Sequence, residues 1–229
     1  MNFIVDKRMP TNMIQRLNEL GRIYTSTYIK TEDAAICAHP DMQIHFVNEN
    51  TAVTAPEVYD YYAQVLPNSV SLIKGFLPIG FTYPKNCAYN IARIGSNVIC
   101  NIKYAEPQII EFYRALGYRI INVKQGYAKC SICPISENSF ITEDVGIYKA
   151  VSPLSGISVK LIPYGSVRLD GYSYGFIGGA TGLCGDTVVF CGNAFKNPYL
   201  KKAAEEAKIK TYMLSNDNLY DYGSIICFL

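Results

Sequence analysis

The sequence predicts an α/β fold of the α+β kind, with five ββαβ units around a pseudo-fivefold axis as a five-bladed α/β propeller. Apolar segments flanked by turns recur along the 229 residues and begin at residues 41, 86, 129, 175 and 223. A second strand follows each of the first four segments, and a helical pattern and a third strand come next. Repetition at such a period is typical of architectures built from one supersecondary unit.

The chain opens with a strand, Asn2–Asp6, that has no place in the first unit. The fifth unit lacks its second strand, because the sequence reaches Leu229 first. We therefore expect the N-terminal strand to fill that place and close the ring. A helix is predicted over 10–21, because its apolar residues recur at helical spacing and a glycine stops it.

The later elements repeat the same order. Helices are predicted over 56–66, 107–117 and 198–208, each with a proline near its start, and a short one over 146–156. The predicted second strands cover 51–54, 97–100, 139–142 and 187–190. The predicted third strands cover 22–25, 69–73, 118–123, 157–162 and 209–214. Because no linker interrupts this order, residues 1–229 are predicted to form a single domain of five repeats of about 46 residues.

Composition excludes several classes of protein. Hydrophobic residues make up 49% of the chain and charged residues 17%, the reverse of a disordered sequence. The net charge is +2 and no run of Lys or Arg exceeds two residues, so no nucleic-acid partner is expected. No apolar run could span a membrane and no export signal is present, so the eight cysteines, mostly in apolar settings, predict buried thiols and a cytoplasmic location.

The five repeated segments are expected to alternate as strands, with an apolar face under the helices and the other face toward the axis. The polar members of the axial face are Asp41, Gln43, His45, Asn86, Asn90, Lys129 and Ser131. The last members of the segments form one predicted ring, which is His45, Asn90, Cys133, Gly179 and Cys227. The sequence therefore predicts a polar channel whose fourth wall is made of glycine.

A thiol, an imidazole and a carboxylate meet in this channel once the first and fifth units become neighbours. Cys227 is the candidate nucleophile, His45 the general acid/base, and Asp41 orients His45 or binds the substrate. The residues assigned to the substrate's polar groups are Gln43, Asn86, Asn90, Lys129, Gly178 and Gly179. We expect a small-molecule substrate and no cofactor or metal.

Other interpretations of these residues stay open. Cys227 and His45 could be ordinary core residues, since buried thiols and hydrogen-bonded buried histidines are common. His39, Asp41 and His45 could hold a metal, although a single strand rarely supplies all the ligands. Cys130 and Cys133 are spaced as a redox or zinc pair, but they would face opposite sides of the predicted strand.

Four stretches carry a resemblance to a known fold, namely residues 39–43, 122–130, 174–179 and 221–227. They are similar to an uncharacterised bacterial family with the pentein propeller, the fold of the guanidino-group-modifying enzymes (GME fold). That group includes arginine and agmatine deiminases, dimethylarginine hydrolases and amidinotransferases. The resemblance implies a hydrolase or amidinotransferase acting on a small guanidino, amidine or amide compound. It places Cys227 at the nucleophile's position and Asp41 among the carboxylates that clamp the guanidinium.

One departure from those enzymes affects the expected chemistry. They carry a catalytic His followed by an acidic residue in the fourth unit, whereas Tyr172–Ala180 contains no His, and Asp170 and Asp186 lie out of register. Either His45, which belongs to the first unit, replaces this catalytic His from the other side of Cys227, or the chemistry of those enzymes is lost. In the second case we expect a non-catalytic module that binds a small metabolite or a protein. The low charge and the 19 tyrosines suit an interaction protein or a homodimer.

Overall fold

The computed structural model describes residues 1–229 and contains five three-stranded sheets with one shared topology. In each sheet the first and second strands pair antiparallel, and the third strand runs parallel beside the second. A helix always connects the second strand to the third, so each unit is ββαβ.

The strands are short, and they fall in the following order. They are β1 Asn2–Val5, β2 Arg22–Thr25, β3 Ile44–Phe46, β4 Thr51–Thr54, β5 Ser71–Lys74, β6 Ala92–Ile94, β7 Asn97–Cys100, β8 Arg119–Asn122, β9 Ile132–Ser136, β10 Ser139–Thr142, β11 Ser158–Leu161, β12 Val167–Arg168, β13 Thr181–Cys184, β14 Thr187–Phe190, β15 Lys210–Met213, β16 Leu219–Tyr220 and β17 Ile226–Phe228. The five sheets are β17-β1-β2, β3-β4-β5, β6-β7-β8, β9-β10-β11 and β13-β14-β15, while β12 and β16 form a small parallel pair.

The helices are α1 Thr11–Leu17, α2 Tyr59–Val65, α3 Pro107–Ala115, α4 Val145–Val151 and α5 Pro198–Glu206. The later ones carry side-chain caps: Glu106, Asp144 and Asn197 each accept a hydrogen bond from the first helical turn. The cap at Asp144 explains why the weak fourth pattern still forms a helix of seven residues. None of the helices is long and apolar enough to cross a membrane.

The two ends of the chain share one sheet. β1 pairs antiparallel with β17, with Phe3 opposite Cys227, and it pairs parallel with β2 on its other side. Phe3 and Ile4 are fully buried in this central position. The expectation that the N-terminal strand completes the fifth unit is therefore confirmed.

The predicted second and third strands and all five helices agree with the structure to within a few residues, but the strand prediction for the five repeated segments is only partly confirmed. Three segments end in strands, at residues 44–45, 132–133 and 226–227, and the other two contain none. The first strands of the sheets begin three or six residues later than expected, at residues 44, 92, 132, 181 and 226. Most of the predicted segments are turns, such as the 3₁₀ turn Pro40–Met42. Their polar side chains bond to other segments of the chain instead of alternating across a sheet. Asn90, for example, accepts hydrogen bonds from the backbone N–H groups of Lys129 and Cys130.

The cores lie where the helices cover neighbouring sheets. One core joins the sheets of β1, β10 and β14, a second joins those of β1, β4 and β7, and a third joins those of β7 and β10. The largest buried side chains include Tyr62 and Tyr113, which come from α2 and α3. Each sheet is thus packed on both flanks, which fixes the segments that precede the first strands.

Candidate functional site

Polar side chains from the segments before the first strands converge on one buried group, which we call the central cluster. It consists of Asp41, Asn90, Lys129, Cys130 and Ser224. These residues precede the first strands of four different sheets. The backbone carbonyl oxygen of Gly178, which precedes the first strand of the remaining sheet, lies 2.9 Å from Ser224 Oγ. All five units therefore contribute to this cluster.

Asp41 is the hub of the central cluster. Its Oδ2 atom accepts hydrogen bonds from Ser224 Oγ at 2.7 Å and from Cys130 Sγ at 2.8 Å. Lys129 Nζ donates to Ser224 Oγ at 3.2 Å, and Asn90 Nδ2 donates to Cys130 Sγ at the same distance. Burial raises the pKa of Asp41 to about 6, although its hydrogen bonds and the Lys129 ammonium oppose the shift. Its Oδ1 atom is buried and has no partner.

Ser224 holds a backbone conformation that side-chain-bearing residues rarely adopt, with φ at 73°. The surrounding contacts sustain it: the hydroxyl lies between Asp41 and the Gly178 carbonyl and accepts from Lys129. Strain of this kind persists where neighbouring structure over-determines a residue, and it is common at functional sites. Sequence reasoning missed Ser224 because it placed the residue on the apolar face of a strand.

A cavity of about 580 Å³ opens beside the central cluster, and we call it the charged cavity. Four of the predicted site residues line it together: Asp41, His45, Lys129 and Cys227. Its other charged side chains are Glu49, Arg93 and Glu137. The cavity thus offers both signs of charge to a small ligand, close to a half-buried thiol.

The thiol of Cys227 differs from the other buried thiols. The neighbouring Cys184 thiol lowers the pKa of Cys227, and the N-terminal amine adds to this shift, whereas burial opposes it. The same contact raises the pKa of Cys184, so Cys227 is the member of the pair that ionises first. Burial instead raises the pKa of Cys100, Cys130 and Cys133. Cys227 is therefore the cysteine best suited to act as a nucleophile.

His45 is engaged elsewhere. Its Nε2 atom lies 2.8 Å from the hydroxyl of Tyr113, and its ring stands edge-on to that tyrosine. Burial lowers the pKa of His45 to about 3, and the nearby Arg93 and Lys129 cations add to the shift. The imidazole is neutral at physiological pH. No hydrogen bond joins it to Asp41, so the expected orientation of His45 by Asp41 is not found.

Three other residues assigned to the substrate hold the fold instead of lining the charged cavity. Gln43 bonds to the backbone of Thr27 and to the hydroxyl of Tyr62. Asn86 accepts a hydrogen bond from the Tyr127 hydroxyl, and Asn90 is occupied within the central cluster. All three side chains are buried.

The glycine wall is packed shut. A Cβ atom at Gly178 would collide with the backbone carbonyl oxygens of Lys129, Cys130 and Ile132, and one at Gly179 would collide with the Asp221 carboxylate. Neither position lines the charged cavity. The stretch where the resemblance places a catalytic His therefore has no space for a side chain at these two positions.

A second cavity, of about 300 Å³, lies beyond the central cluster. We call it the aromatic cavity, because Tyr127, Tyr172, Tyr174 and Phe176 line it. Cys130 lines it as well and reaches Asp41 of the charged cavity by the 2.8 Å hydrogen bond. The central cluster thus forms the partition between the two cavities.

Comparison with known proteins gives the fold and the family. An amidinotransferase of the saxitoxin biosynthetic pathway from Microseira wollei, SxtG, is similar in structure with a TM-score of 0.56 and 14% identity, over 93% of this chain and 88% of the other. Dimethylarginine dimethylaminohydrolase, solved as an adduct with S-methyl-L-thiocitrulline, matches with a TM-score of 0.57 and 10% identity, over 94% and 92%. At this identity the likeness shows the pentein fold alone.

No curated protein matches the sequence significantly. A family model does match, and it covers residues 4–226, which is nearly the whole chain. The chain therefore belongs to the Family of unknown function (DUF6873).

Proposed function

We propose that this protein is a Cys-dependent enzyme of the hydrolase or amidinotransferase type, acting on a C–N bond of a small guanidino, amidine or amide compound in the charged cavity. Cys227 is the nucleophile and Asp41 binds the cationic group. The five sheets stand around one axis as the blades of a pentein propeller, in one domain over residues 1–229. The observation that carries the proposal is the cavity shared by Cys227, whose thiol pKa is lowered, and Asp41, whose buried Oδ1 atom has no hydrogen-bond partner.

The charges of the cavity narrow the substrate class. The free Oδ1 atom of Asp41 suits an amidinium N–H group, since a charge-assisted hydrogen bond compensates a buried carboxylate. Lys129 and Arg93 line the same cavity and suit an anionic group. A zwitterion with an amidinium or guanidinium at one end and a carboxylate at the other matches Asp41 with its cation and Lys129 and Arg93 with its anion.

The proposed reaction begins with the thiolate of Cys227. The thiolate sulfur forms a bond to the amidine carbon, and the π electron pair of the C=N bond moves to nitrogen. Collapse of this adduct breaks the bond to the leaving amine, which takes a proton from water in the cavity. Water or an acceptor amine then adds to the same carbon, and the carbon–sulfur bond breaks to return the thiolate. His45 has no part in these steps, because a pKa of about 3 makes its ring a weak base and its Nε2 atom is bonded to the Tyr113 hydroxyl.

A matched pair of alkylating reagents tests the proposal without a known substrate. 2-Chloroacetamidine carries the amidinium group, and 2-chloroacetamide is its neutral counterpart. Each alkylation rate at Cys227, read by peptide mass spectrometry, is divided by the same reagent's rate with free glutathione. We expect the normalised rate to be at least about tenfold higher for the amidine, the effect of one charge-assisted hydrogen bond.

The variant D41N is the control for recognition of the cation. It should bring the ratio of the two normalised rates to about one while the rate with the neutral amide stays within about threefold. C227A should lose the adduct at residue 227 with both reagents. Equal normalised rates in the unmodified protein, or an inert Cys227, would contradict the proposal.

The second candidate function is a non-catalytic binding module. A groove lined by Tyr28, Val58, Ile79 and Phe81 supports it, since Tyr28 and Phe81 are large exposed side chains. Such a patch suits a protein partner or a homodimer. Sedimentation velocity on the unmodified protein and on F81S separates these cases: a dimer that dissociates in F81S supports the module, whereas a monomer in both removes the homodimer.

A reducing compartment such as the cytoplasm belongs to the proposal as well. Six of the eight cysteines are buried as thiols, and Cys227 must remain reduced to react. Alkylation of freshly lysed cells before purification gives the thiol state of Cys227 directly, and a blocked Cys227 would argue against this placement.

A further inference from the structure

Three metal-ligating side chains meet at the floor of the aromatic cavity. His39, Cys130 and Asp221 are each at most 3% exposed, and one ligand atom from each lies within 4.8 Å of the others. His39 Nδ1 and Asp221 Oδ1 are 3.9 Å apart, which is too long for a hydrogen bond. Nothing in the proposed reaction uses these residues as a group.

The imidazole of His39 has an unused nitrogen. Its Nε2 atom is buried and has no hydrogen-bond partner. Buried polar atoms are almost always paired, so an unpaired ring nitrogen in a residue that lines a cavity needs an explanation.

The other two side chains keep coordinating capacity. Asp221 accepts one backbone N–H at each oxygen, from Phe176 at 2.9 Å and from Gly223 at 2.9 Å, and a carboxylate has about four acceptor sites. The sulfur of Cys130 receives a hydrogen bond from Asn90 at 3.2 Å. That donor supports a thiolate in the way that outer-shell groups support metal ligands.

Glycine at residue 223 allows the close approach of His39. Gly223 has a φ of 66°, and a Cβ there would collide with the Cβ and Cγ atoms of His39. Its backbone N–H at the same time fixes the Asp221 carboxylate. Gly223 therefore allows His39 and Asp221 to lie close together.

We propose that His39, Cys130 and Asp221 form a mononuclear site for a zinc-like divalent cation, with an open fourth position toward the aromatic cavity. One nitrogen, one sulfur and one carboxylate oxygen are a donor set that suits Zn²⁺, and three protein ligands leave a position for water or a ligand. With bond lengths of about 2.0–2.3 Å, tetrahedral ligand atoms lie roughly 3.3–3.8 Å apart, so small side-chain rotations close the site.

Binding involves no change of oxidation state. The imidazole and carboxylate donate lone pairs, and Cys130 loses its S–H proton to solvent as the metal–sulfur bond forms. One proton is released per metal bound. The metal site and the reaction proposed for Cys227 lie in different cavities and share one contact, the hydrogen bond from Cys130 Sγ to Asp41 Oδ2.

Cobalt provides the direct test. The full chain is treated with a chelator, transferred to a reducing buffer without chelator, and titrated with Co²⁺. We expect one equivalent to bind and a near-ultraviolet charge-transfer band from a single Co²⁺–thiolate bond. Zn²⁺ should then displace Co²⁺ and abolish the band, and elemental analysis should give one zinc per chain.

Matched serine variants identify the sulfur. C130S should lose the charge-transfer band and weaken Co²⁺ binding more than about 100-fold, while C227S, in the charged cavity, should keep both. The unmodified protein tests the site even where C130S does not fold. A folded chain, by circular dichroism, without the band would overturn the proposal. So would a band that survives in C130S and disappears in C227S, since the metal would then sit on the Cys184 and Cys227 thiols.

Discussion

The two cavities beside the central cluster contain similar chemical groups in opposite states. Each has a cysteine, a histidine and an aspartate, namely Cys227, His45 and Asp41 in one and Cys130, His39 and Asp221 in the other. In the charged cavity the thiol pKa is lowered and the imidazole is bonded to Tyr113. In the aromatic cavity the thiol pKa is raised and an imidazole nitrogen is free. The surroundings of a cysteine, more than its residue type, therefore decide whether it suits the role of a nucleophile, as Cys227 does, or of a metal ligand, as Cys130 does.

Thiol reactivity should show the largest difference between the cavities. At pH 8, without added metal, we expect a neutral alkylating reagent to modify Cys227 at least about 100-fold faster than Cys130, since each unit of pKa changes the thiolate fraction about tenfold. The rate at Cys227 should reach half its maximum at a pH below the usual thiol pKa, because the thiolate forms earlier. Peptide mass spectrometry over a pH series measures both rates. Similar rates at the two cysteines would disprove the expected difference in reactivity between the two cavities.

The partition between the cavities should tolerate no added atom. G178A places a methyl group against three backbone carbonyls that cannot move independently, so we expect a loss of at least about 3 kcal/mol in the free energy of unfolding. G117A is the control: Gly117 has a φ of 75° but open space around it, so only backbone strain of about 1 kcal/mol applies. Urea denaturation measures both values. Equal losses in the two variants would show that the partition adapts.

Glu143 bonds to the backbone N–H of Ile177, next to Gly178 of the partition, and it should make the free energy of unfolding depend on pH. Its carboxylate accepts hydrogen bonds from Ile177 N and Ser166 Oγ, and burial raises its pKa to about 7. The folded state then binds this proton more tightly than the unfolded state, so the contribution to stability falls as pH rises from about 4.5 to about 7.

The variant E143Q should lack that dependence. Relative to the unmodified protein, its free energy of unfolding should rise by about 2–3 kcal/mol between pH 4 and pH 8. E111Q changes an exposed carboxylate and should show no such trend. Denaturation series at several pH values measure the difference, and parallel curves for E143Q and the unmodified protein would disprove the assignment.

The smallest effect is expected at His45. H45Q breaks the hydrogen bond to Tyr113, so the free energy of unfolding should fall by about 1 kcal/mol. The alkylation rate of Cys227 should stay within about threefold of the rate in the unmodified protein, because His45 does not take the proton of the Cys227 thiol. A general base would instead contribute about 100-fold or more. A fall of that size in H45Q would restore the acid/base role that the sequence suggested.

Much of the fold could be predicted from local patterns. The second strands at 51–54, 97–100, 139–142 and 187–190 match the structure residue for residue. Apolar runs, prolines and glycines act over a few neighbouring residues, so they can be interpreted without tertiary contacts. The repeated segments are strands only at their last two residues, or not at all, because their polar side chains bond to residues far away in the chain. Asp41 and Ser224, for instance, are 183 positions apart.

The candidate site could be predicted only in part for the same reason. Cys227, Asp41, His45 and Lys129 share a cavity, as the closing of the first and fifth units suggested. The sequence contained no signal for the role of Tyr113 as the partner of His45, or for the contact between Cys184 and Cys227. Cys130 was visible as half of a CxxC pair, but that pattern pointed to Cys133, which is fully buried in a core.

The sequence by itself determined the number of units, their order of elements and the sharing of one sheet by both chain ends, because hydrophobic periodicity and turn residues act locally. The tertiary structure alone decided which polar groups meet. It brought His39, Cys130 and Asp221 together from three separate segments and left one nitrogen of the His39 ring without a hydrogen-bond partner. It also set the opposite pKa shifts of the two thiols, since burial and hydrogen-bond partners shift a pKa and both arise only when distant segments pack.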